Sequence, residues 1–203
     1  MSAYRSDQCV MLRVCVVLVL ALATLSTASD VNMGLCNCNI SPDTDTCFSD
    51  IALENIGRWE WKWITKTNNT KHWGMAHSIT RPTGMKDGEF SCVVYYTSKF
   101  GYYKIYSQYL IYDLGYGRAY GKAFGSNMDV EIYVLKHVPH KYVCLYFCSH
   151  NGNDVILDYR VVLTHKNCLT SAELLEIEAI EKYYNFDGEL MELETDDLGK
   201  AYL

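Results

Sequence analysis

The sequence lacks a surplus of basic residues, and this argues against one class of partner. Its 203 residues contain 18 Lys and Arg against 24 Asp and Glu, a formal net charge of −6 at pH 7. Binding to nucleic acids depends on clustered positive charge, so an acidic chain without a basic stripe is a poor candidate. We therefore expect no nucleic-acid partner.

The sequence also lacks the short motifs of common catalytic and metal sites. It contains no Gly-rich phosphate loop, no paired-carboxylate motif and no His-Glu-x-x-His zinc motif. The pairs Cys36-x-Cys38 and Cys144-x3-Cys148 lack the two-residue spacing and matching His partners of a zinc knuckle. We expect no metal and no required cofactor. The remaining enzyme alternative uses Cys92 as a nucleophile, which would need a neighbouring cation or His to lower its thiol pKa.

No apolar run has the roughly 20 residues of a confident transmembrane helix. The run from Val14 to Ala23 follows two arginines, and Ser26 and Ala28 sit at the −3 and −1 positions of a plausible cleavage site. This arrangement predicts a signal peptide at residues 1–28 and a secreted protein, without stable membrane insertion after cleavage. The alternative is an uncleaved membrane anchor.

Cysteines and glycosylation sequons agree with secretion. Two of the nine cysteines lie within the leader, and the other seven should mostly pair in an oxidising compartment. Because seven is odd, one thiol stays free or joins another chain. Sequons at Asn39 and Asn68 predict N-glycosylation.

What the sequence does contain, from Gly57 to Leu163, is a series of short β-branched and aromatic runs separated by turn residues. Eight consecutive strands with short links predict an antiparallel up-and-down meander. Such a meander can close into a barrel around one small-ligand cavity. The predicted strands are Trp59–Thr65, Trp73–Thr80, Glu89–Tyr96, Tyr103–Tyr112, Tyr116–Phe124, Val130–Lys136, Tyr142–Cys148 and Val155–Leu163.

One helix follows the strands. Thr170 and Glu173 have the spacing of a capping box, and an apolar stripe follows them at Leu174, Ile177 and Ile180. The pattern predicts a helix at about 170–184, packed outside the barrel. The predicted organisation is a signal peptide at 1–28, an N-terminal arm at 29–56, a barrel with its helix at 57–192 and an acidic, solvated tail at 193–203.

These features together resemble the lipocalin family. The tripeptide Gly57-Arg58-Trp59 stands at the first strand, as in the family. The segment Tyr142-Val143-Cys144-Leu145-Tyr146-Phe147-Cys148 looks like the seventh-strand signature of invertebrate crustacyanin-like and apolipoprotein D-like lipocalins, in which Tyr-Ala-Cys-x-Tyr-x-Cys recurs. The resemblance implies an all-β, eight-stranded antiparallel lipocalin barrel with one C-terminal helix outside.

The resemblance also implies specific contacts. Gly57 and Trp59 would form a barrel-base motif with the residue before the helix, which is His165 in this chain. An Arg stands there in the family, over the indole. The implied disulfides are Cys36–Cys148 and Cys144–Cys168, and they leave Cys38, Cys47 and Cys92 without assigned partners.

Side-chain alternation then predicts the cavity lining. If Cys144 and Cys148 face outward, Leu145 and Phe147 face inward. The alternative for each lining residue is ordinary core packing, which we favour for Trp59. The predicted lining residues are Trp61, Trp63, Leu145, Phe147, Tyr159 and Val161.

The implied function is secreted binding and transport of a small hydrophobic ligand. A crustacyanin-like protein would carry a carotenoid, and an apolipoprotein D-like protein would carry a fatty acid, a sterol or a retinoid. A bilin is a third possibility. Abundant Tyr also suggests a homo- or heterodimer, since Tyr is enriched at interfaces. The alternative function is a secreted interaction module with a filled barrel, acting through its surface.

Overall fold

The computed structural model describes residues 40–68, 70–99, 101–125, 129–151, 154–165, 169–186 and 188–194. Several predictions fall outside these residues: the signal peptide at 1–28, Cys36, Cys38, Asn39, Cys168 and residues 195–203 of the tail.

Eight antiparallel strands form a closed up-and-down barrel, which confirms the predicted fold class. Each strand pairs with the next, β8 pairs with β1, and β1 closes the ring by pairing with β2 through Arg58, Trp59 and Glu60. The strands are β1 (Arg58–Thr65), β2 (Trp73–Pro82), β3 (Glu89–Ser98), β4 (Gly101–Gly115), β5 (Arg118–Ala123), β6 (Asp129–Val138), β7 (Tyr142–Asn151) and β8 (Asp154–Thr164).

The turn between β4 and β5 differs from the prediction. The fifth strand begins at Arg118 instead of Tyr116, because Gly115, Tyr116 and Gly117 all have positive φ angles. Gly117 is required there, since an added Cβ would lie 2.4 Å from the carbonyl oxygen of Asp43. The close approach of the N-terminal segment therefore shapes this turn.

Helical structure precedes the barrel, within the segment predicted as an N-terminal arm. Helix α1 (Phe48–Leu53) is followed by a 3-10 turn at Glu54–Gly57, and a second 3-10 turn, Thr70–His72, links β1 to β2. Phe48, Ile51 and Ala52 are buried in the barrel core. This part of the arm is thus the floor of the barrel.

The predicted C-terminal helix is present as α2 (Ser171–Tyr184), with the Thr170–Glu173 capping box formed. Ile177 is buried against the outer face of the barrel. The Tyr142 hydroxyl donates to Glu176 Oε2 at 2.5 Å, which ties the helix to β7. Neither this helix nor any other in the described residues is long and apolar enough to cross a membrane.

A short strand, β9 (Leu190–Glu192), pairs with β1 beyond the point where β1 leaves β2. Leu193 is 1% exposed in the barrel core, and the Glu194 amide donates to the Gly74 carbonyl at 2.8 Å. Leu193, which the prediction places in the solvated tail, is therefore a core residue. The physical reason is that apolar Leu193 fills the gap between β1 and β2.

Candidate ligand-binding site

The barrel encloses a cavity at its centre. The cavity has a volume of about 50 Å³. Its floor is α1, and its walls are inward side chains of the strands, mostly aliphatic and aromatic. None of its described lining residues is charged. An enclosed apolar space with a few polar groups is the usual form of a small-molecule site.

Four of the six predicted lining residues do line this cavity: Trp61, Leu145, Phe147 and Tyr159. Val161 is fully buried in the same core cluster, but it does not contact the cavity. Leu163, two residues further along β8, lines the cavity instead. Val161 is therefore a packing residue, and its prediction as a lining residue is wrong.

Trp63 lies on the opposite side of the wall, so its predicted inward position is also wrong. The pairing of β1 with β8 shifts between Trp61 and Trp63, which face Leu163 and Val162 respectively. This bulge breaks the alternation of side chains along the strand. The Trp63 ring packs against the outer cluster beneath α2, with Lys62 Nζ 5.5 Å from its centroid.

Trp61, which lines the cavity, has an unpaired buried donor. The side chain is 4% exposed, and its Nε1 is buried without a hydrogen-bond partner in the described part of the chain. Buried indole N–H groups usually find a partner, because an unpaired donor loses its hydration without compensation. Trp61 thus has a hydrogen-bonding capacity that the described protein atoms do not use.

The titratable groups that line the cavity, Cys92, Tyr109 and Tyr159, are neutral at pH 7. Burial raises the pKa of the Cys92 thiol to about 11, although the Thr80 hydroxyl lowers it slightly. Burial also raises the pKa of Tyr159 and Tyr109, and the proximity of Cys92 adds to both shifts. Cys92 is a free but protonated thiol, so the activation required by the thiol-enzyme alternative is not provided.

The barrel base has the three-residue arrangement that the sequence implied. The His165 ring stacks on Trp59 with centroids 3.7 Å apart, and Trp59 Nε1 donates to the Ile51 carbonyl at 3.0 Å. Gly57 has φ +72°, and an added Cβ would lie 1.7 Å from the Thr80 carbonyl oxygen. These contacts close the lower end of the cavity.

Sequence reasoning missed the carboxylate that joins this base. Glu54 Oε1 lies 3.0 Å from His137 Nε2, Glu54 Oε2 lies 3.1 Å from His165 Nε2, and the His140 amide donates to Oε2 at 3.1 Å. Burial alone would raise the pKa of Glu54, but the hydrogen bonds from His165 and His140 and the charge of His137 outweigh it and lower the pKa. No sequence signal connects Glu54 with His165, because they are 111 residues apart.

Comparison with solved structures identifies this architecture. Lobster apocrustacyanin A1 is 14% identical, with 77% of this chain and 88% of that chain covered and a TM-score of 0.58. Insecticyanin from the tobacco hornworm Manduca sexta is 13% identical, with 81% and 88% covered and a TM-score of 0.60. The siderocalin Ex-FABP is 11% identical, with 68% and 89% covered and a TM-score of 0.51.

The chain has the lipocalin fold. The likeness lies in structure, since no protein-family model and no curated protein sequence matches the chain. The resemblance noted in the sequence is therefore confirmed at the level of fold.

The cysteines of this lipocalin barrel only partly follow the implied pairing. Cys144 and Cys148 both face the outer cluster, as expected. Cys144 has a free thiol, so the predicted Cys144–Cys168 bridge is wrong for this structure. Cys144 is buried in the outer cluster together with Ile177 of α2. Cys148 is not among the free thiols, and its pairing with Cys36 stays a prediction.

The two remaining predicted features concern the surface. Asn68 is exposed in the loop between β1 and β2, while Asn39 lies outside the described residues. Within the described part of the lipocalin barrel, no group of three or more His, Cys, Asp or Glu residues is placed to hold a metal ion.

Proposed function

We propose that this protein binds a small hydrophobic molecule inside its lipocalin barrel and carries it outside the cell. The observation that carries the proposal is the cavity inside the barrel, whose described lining is mostly apolar and uncharged. A structural neighbour offers a parallel, since the siderocalin Ex-FABP is described as functioning through dual ligand specificities.

Secretion is part of the proposal. It is supported by the signal-peptide pattern at residues 1–28 and by the exposed Asn68 of one sequon. Extracellular transport suits a barrel that removes an apolar molecule from water. Intact mass measurement of the protein secreted by cultured eukaryotic cells, before and after glycosidase treatment, tests both the cleavage and the glycan.

The cargo is a lipophilic ligand, and we propose no cofactor. The cargo classes implied by the sequence, from a fatty acid to a carotenoid, are all larger than a cavity of about 50 Å³, so each would need wall side chains to move. A carrier function also needs no reactive group. The protonated state of Cys92 is consistent with binding without catalysis.

The direct test fills the cavity with a side chain. Val94 is buried and lines the cavity, whereas its neighbour Val93 lies half-buried on the opposite face of β3. We expect Val94→Phe to weaken binding of a fluorescent hydrophobic probe at least tenfold and Val93→Phe to leave it unchanged. Equal effects of the two substitutions would show that the probe binds the surface, and this would contradict the proposal.

The small size of the cavity favours a second function, in which a filled barrel acts through its surface. Four exposed apolar side chains lie at the end of the barrel closed by α1: Leu53, Met85, Leu114 and Tyr116. If no apolar probe binds the wild-type protein, this interaction function replaces the carrier function. The homo- or heterodimer expected from the sequence would also form through the surface of the barrel. Sedimentation velocity of the secreted protein tests for it.

A further inference from the structure

Helix α2 has a second apolar stripe, on the side that faces away from the barrel. The inner side of the helix packs on the outer cluster through Ile177, which is buried. On the opposite side, apolar residues recur at spacings of three or four positions, so they lie along one face of the helix. This outer stripe consists of Ala172, Leu175, Ala179 and Tyr183, and all four residues are exposed.

The exposure of the outer stripe is that of a surface without a partner. Leu175 is 65% exposed and Tyr183 is 78% exposed, so no described part of the chain covers them. Surface helices normally present polar and charged residues to solvent and keep their apolar residues toward the core. At a rise of 1.5 Å per residue, the stripe extends about 16 Å along the helix. A contiguous exposed apolar patch marks an interaction site.

The shape of the outer stripe is symmetric about its centre. The large side chains of Leu175 and Tyr183 stand on either side of Ala179, each about one helical turn away. A small residue between two large ones leaves a groove that a side chain of a facing helix can fill. An antiparallel copy of the same helix brings Leu175 of one chain next to Tyr183 of the other. Interfaces with two-fold symmetry require self-complementarity of this kind.

The charges beside the outer stripe are also self-complementary. Glu178 and Lys182 are exposed on the same flank of the stripe, one turn apart, and neither forms an ion pair with another described side chain. By contrast, Glu176 Oε1 lies 3.1 Å from Lys136 Nζ of the same chain. A two-fold axis that passes between Glu178 and Lys182 places each glutamate opposite the lysine of the other copy. The charges therefore favour a second copy of this chain over an unrelated partner.

We propose that the outer stripe of α2 is the interface of a homodimer, in which two α2 helices pack antiparallel across a two-fold axis. Leu175 and Tyr183 provide the apolar contact, and Glu178 and Lys182 of the two copies form reciprocal ion pairs at its edge. Each copy contributes far fewer than the roughly 20–30 residues of a standard interface, so the dimer is weak and reversible. The inference goes beyond the carrier function and does not depend on it, since none of these residues belongs to the described cavity lining.

Replacing an apolar residue by a charged one tests which surface associates. Leu175→Arg places a charge in the outer stripe, and Leu53→Arg is the matched control at the closed end of the barrel, where Leu53 is 60% exposed. Sedimentation velocity of the secreted protein over a range of concentrations gives the dissociation constant of self-association. We expect a concentration-dependent dimer for the wild type, roughly tenfold or greater weakening by Leu175→Arg and an unchanged constant for Leu53→Arg.

Charge reversal tests the antiparallel arrangement. In Glu178→Lys or Lys182→Glu alone, like charges face each other across the two-fold axis, so each variant should dimerise about tenfold more weakly than the wild type at low salt. In an equal mixture of the two variants, two lysines of one copy face two glutamates of the other, and association should return to the wild-type value. A local effect of either substitution on α2 would not be rescued by mixing. Circular dichroism of each variant controls for loss of the helix.

Three results would overturn the inference. They are a wild type that stays monomeric at every concentration, a loss of association in Leu53→Arg as large as that in Leu175→Arg, and charge-reversal variants whose association is not restored by mixing. None of these results bears on the carrier function, which the fluorescent probe tests through Val94→Phe and Val93→Phe. Failure of that probe to bind would in turn leave the homodimer standing.

Discussion

Trp59 and Trp61 are two residues apart on β1, and both are buried. They differ in whether the indole N–H has a hydrogen-bond partner. Trp59 is 2% exposed, donates to the Ile51 carbonyl at 3.0 Å and stacks on His165. Trp61 is 4% exposed, and its N–H has no partner in the described residues. Both side chains line the cavity, but only Trp59 is also tied to the base of the barrel.

The difference distinguishes a buried donor that is paired with protein from one that has no partner among the described residues. A buried donor paired with protein contributes to stability, whereas an unpaired one costs free energy until something pairs with it. The same contrast extends to the neighbours of these residues. Glu54 at the base has hydrogen bonds with His140 and His165 and lies 3.0 Å from His137 Nε2, whereas the described lining of the cavity is uncharged.

The largest expected effect on stability comes from Gly→Ala substitutions at the base of the barrel and in the cavity wall. Gly57→Ala at the base should destabilise the fold by at least about 3 kcal/mol, because its Cβ would lie 1.7 Å from the Thr80 carbonyl oxygen at φ +72°. Gly121→Ala in the cavity wall should change stability by less than about 1 kcal/mol, because its Cβ would meet Ile132 Cδ1 at an ordinary 3.5 Å. Urea unfolding measures both.

Gly84→Ala is the control for the backbone cost alone, since Gly84 has φ +73° and nothing within 4 Å of an added Cβ. It should cost about 1 kcal/mol. A Gly57→Ala protein as stable as the Gly84→Ala protein would show that the base is not tightly packed.

The two tryptophans themselves give the next largest effect. Trp59→Phe should lower the free energy of unfolding by about 1–3 kcal/mol, because it removes a buried hydrogen bond and leaves the Ile51 carbonyl unpaired. Trp61→Phe should lie within about 1 kcal/mol of the wild type, because the loss of ring volume is offset by removal of an unpaired donor. Equal destabilisation by the two substitutions would remove the distinction between base and cavity.

Acid sensitivity should belong to the base. The folded pKa of Glu54 is lowered, so its ionised form contributes stability that is present above its unfolded pKa of about 4.3 and is lost as pH falls through the lowered folded value. Glu54→Gln should therefore cost about 1–3 kcal/mol at pH 7 and less below pH 4. Thermal unfolding from pH 3 to pH 7 measures this. A constant difference across that range would contradict the role given to the carboxylate.

The smallest expected effect is a difference in reactivity between an exposed thiol and a thiol in the barrel interior. Cys47 is exposed, whereas burial raises the pKa of Cys92 to about 11. In the folded protein at pH 7.5, iodoacetamide should modify Cys47 within minutes and leave Cys92 intact until denaturant is added. Peptide mapping of the wild type and Cys47→Ser makes the assignment. Rapid modification of Cys92 would reopen the thiol-enzyme alternative.

Local patterns made most of the fold predictable. The alternation of apolar residues and the short turns located all eight strands, and the Thr170–Glu173 capping box located the start of α2. Local patterns do not show the register in which two strands pair. The bulge that turns Trp63 outward depends on the register between β1 and β8, which alternation along one strand cannot reveal.

The parts of the site that could not be predicted are long-range contacts. The tail reads as acidic and solvated, yet Leu193 enters the core at the gap between β1 and β2. The link from Glu54 to His137 and His165 has no local signature either, because it forms only when the barrel closes.

The most direct test follows the indole N–H groups of the four tryptophans in a ¹⁵N-correlated NMR spectrum during addition of cyclohexanone. Single Trp→Phe variants assign the signals. We predict that the Trp61 signal shifts as the ketone saturates its site, because Trp61 lines the cavity, while the signal of Trp63, which packs against the outer cluster, stays in place. A Trp61 signal unmoved at saturation, or one that moves no more than that of Trp63, would contradict the central claim that the barrel interior is the ligand site.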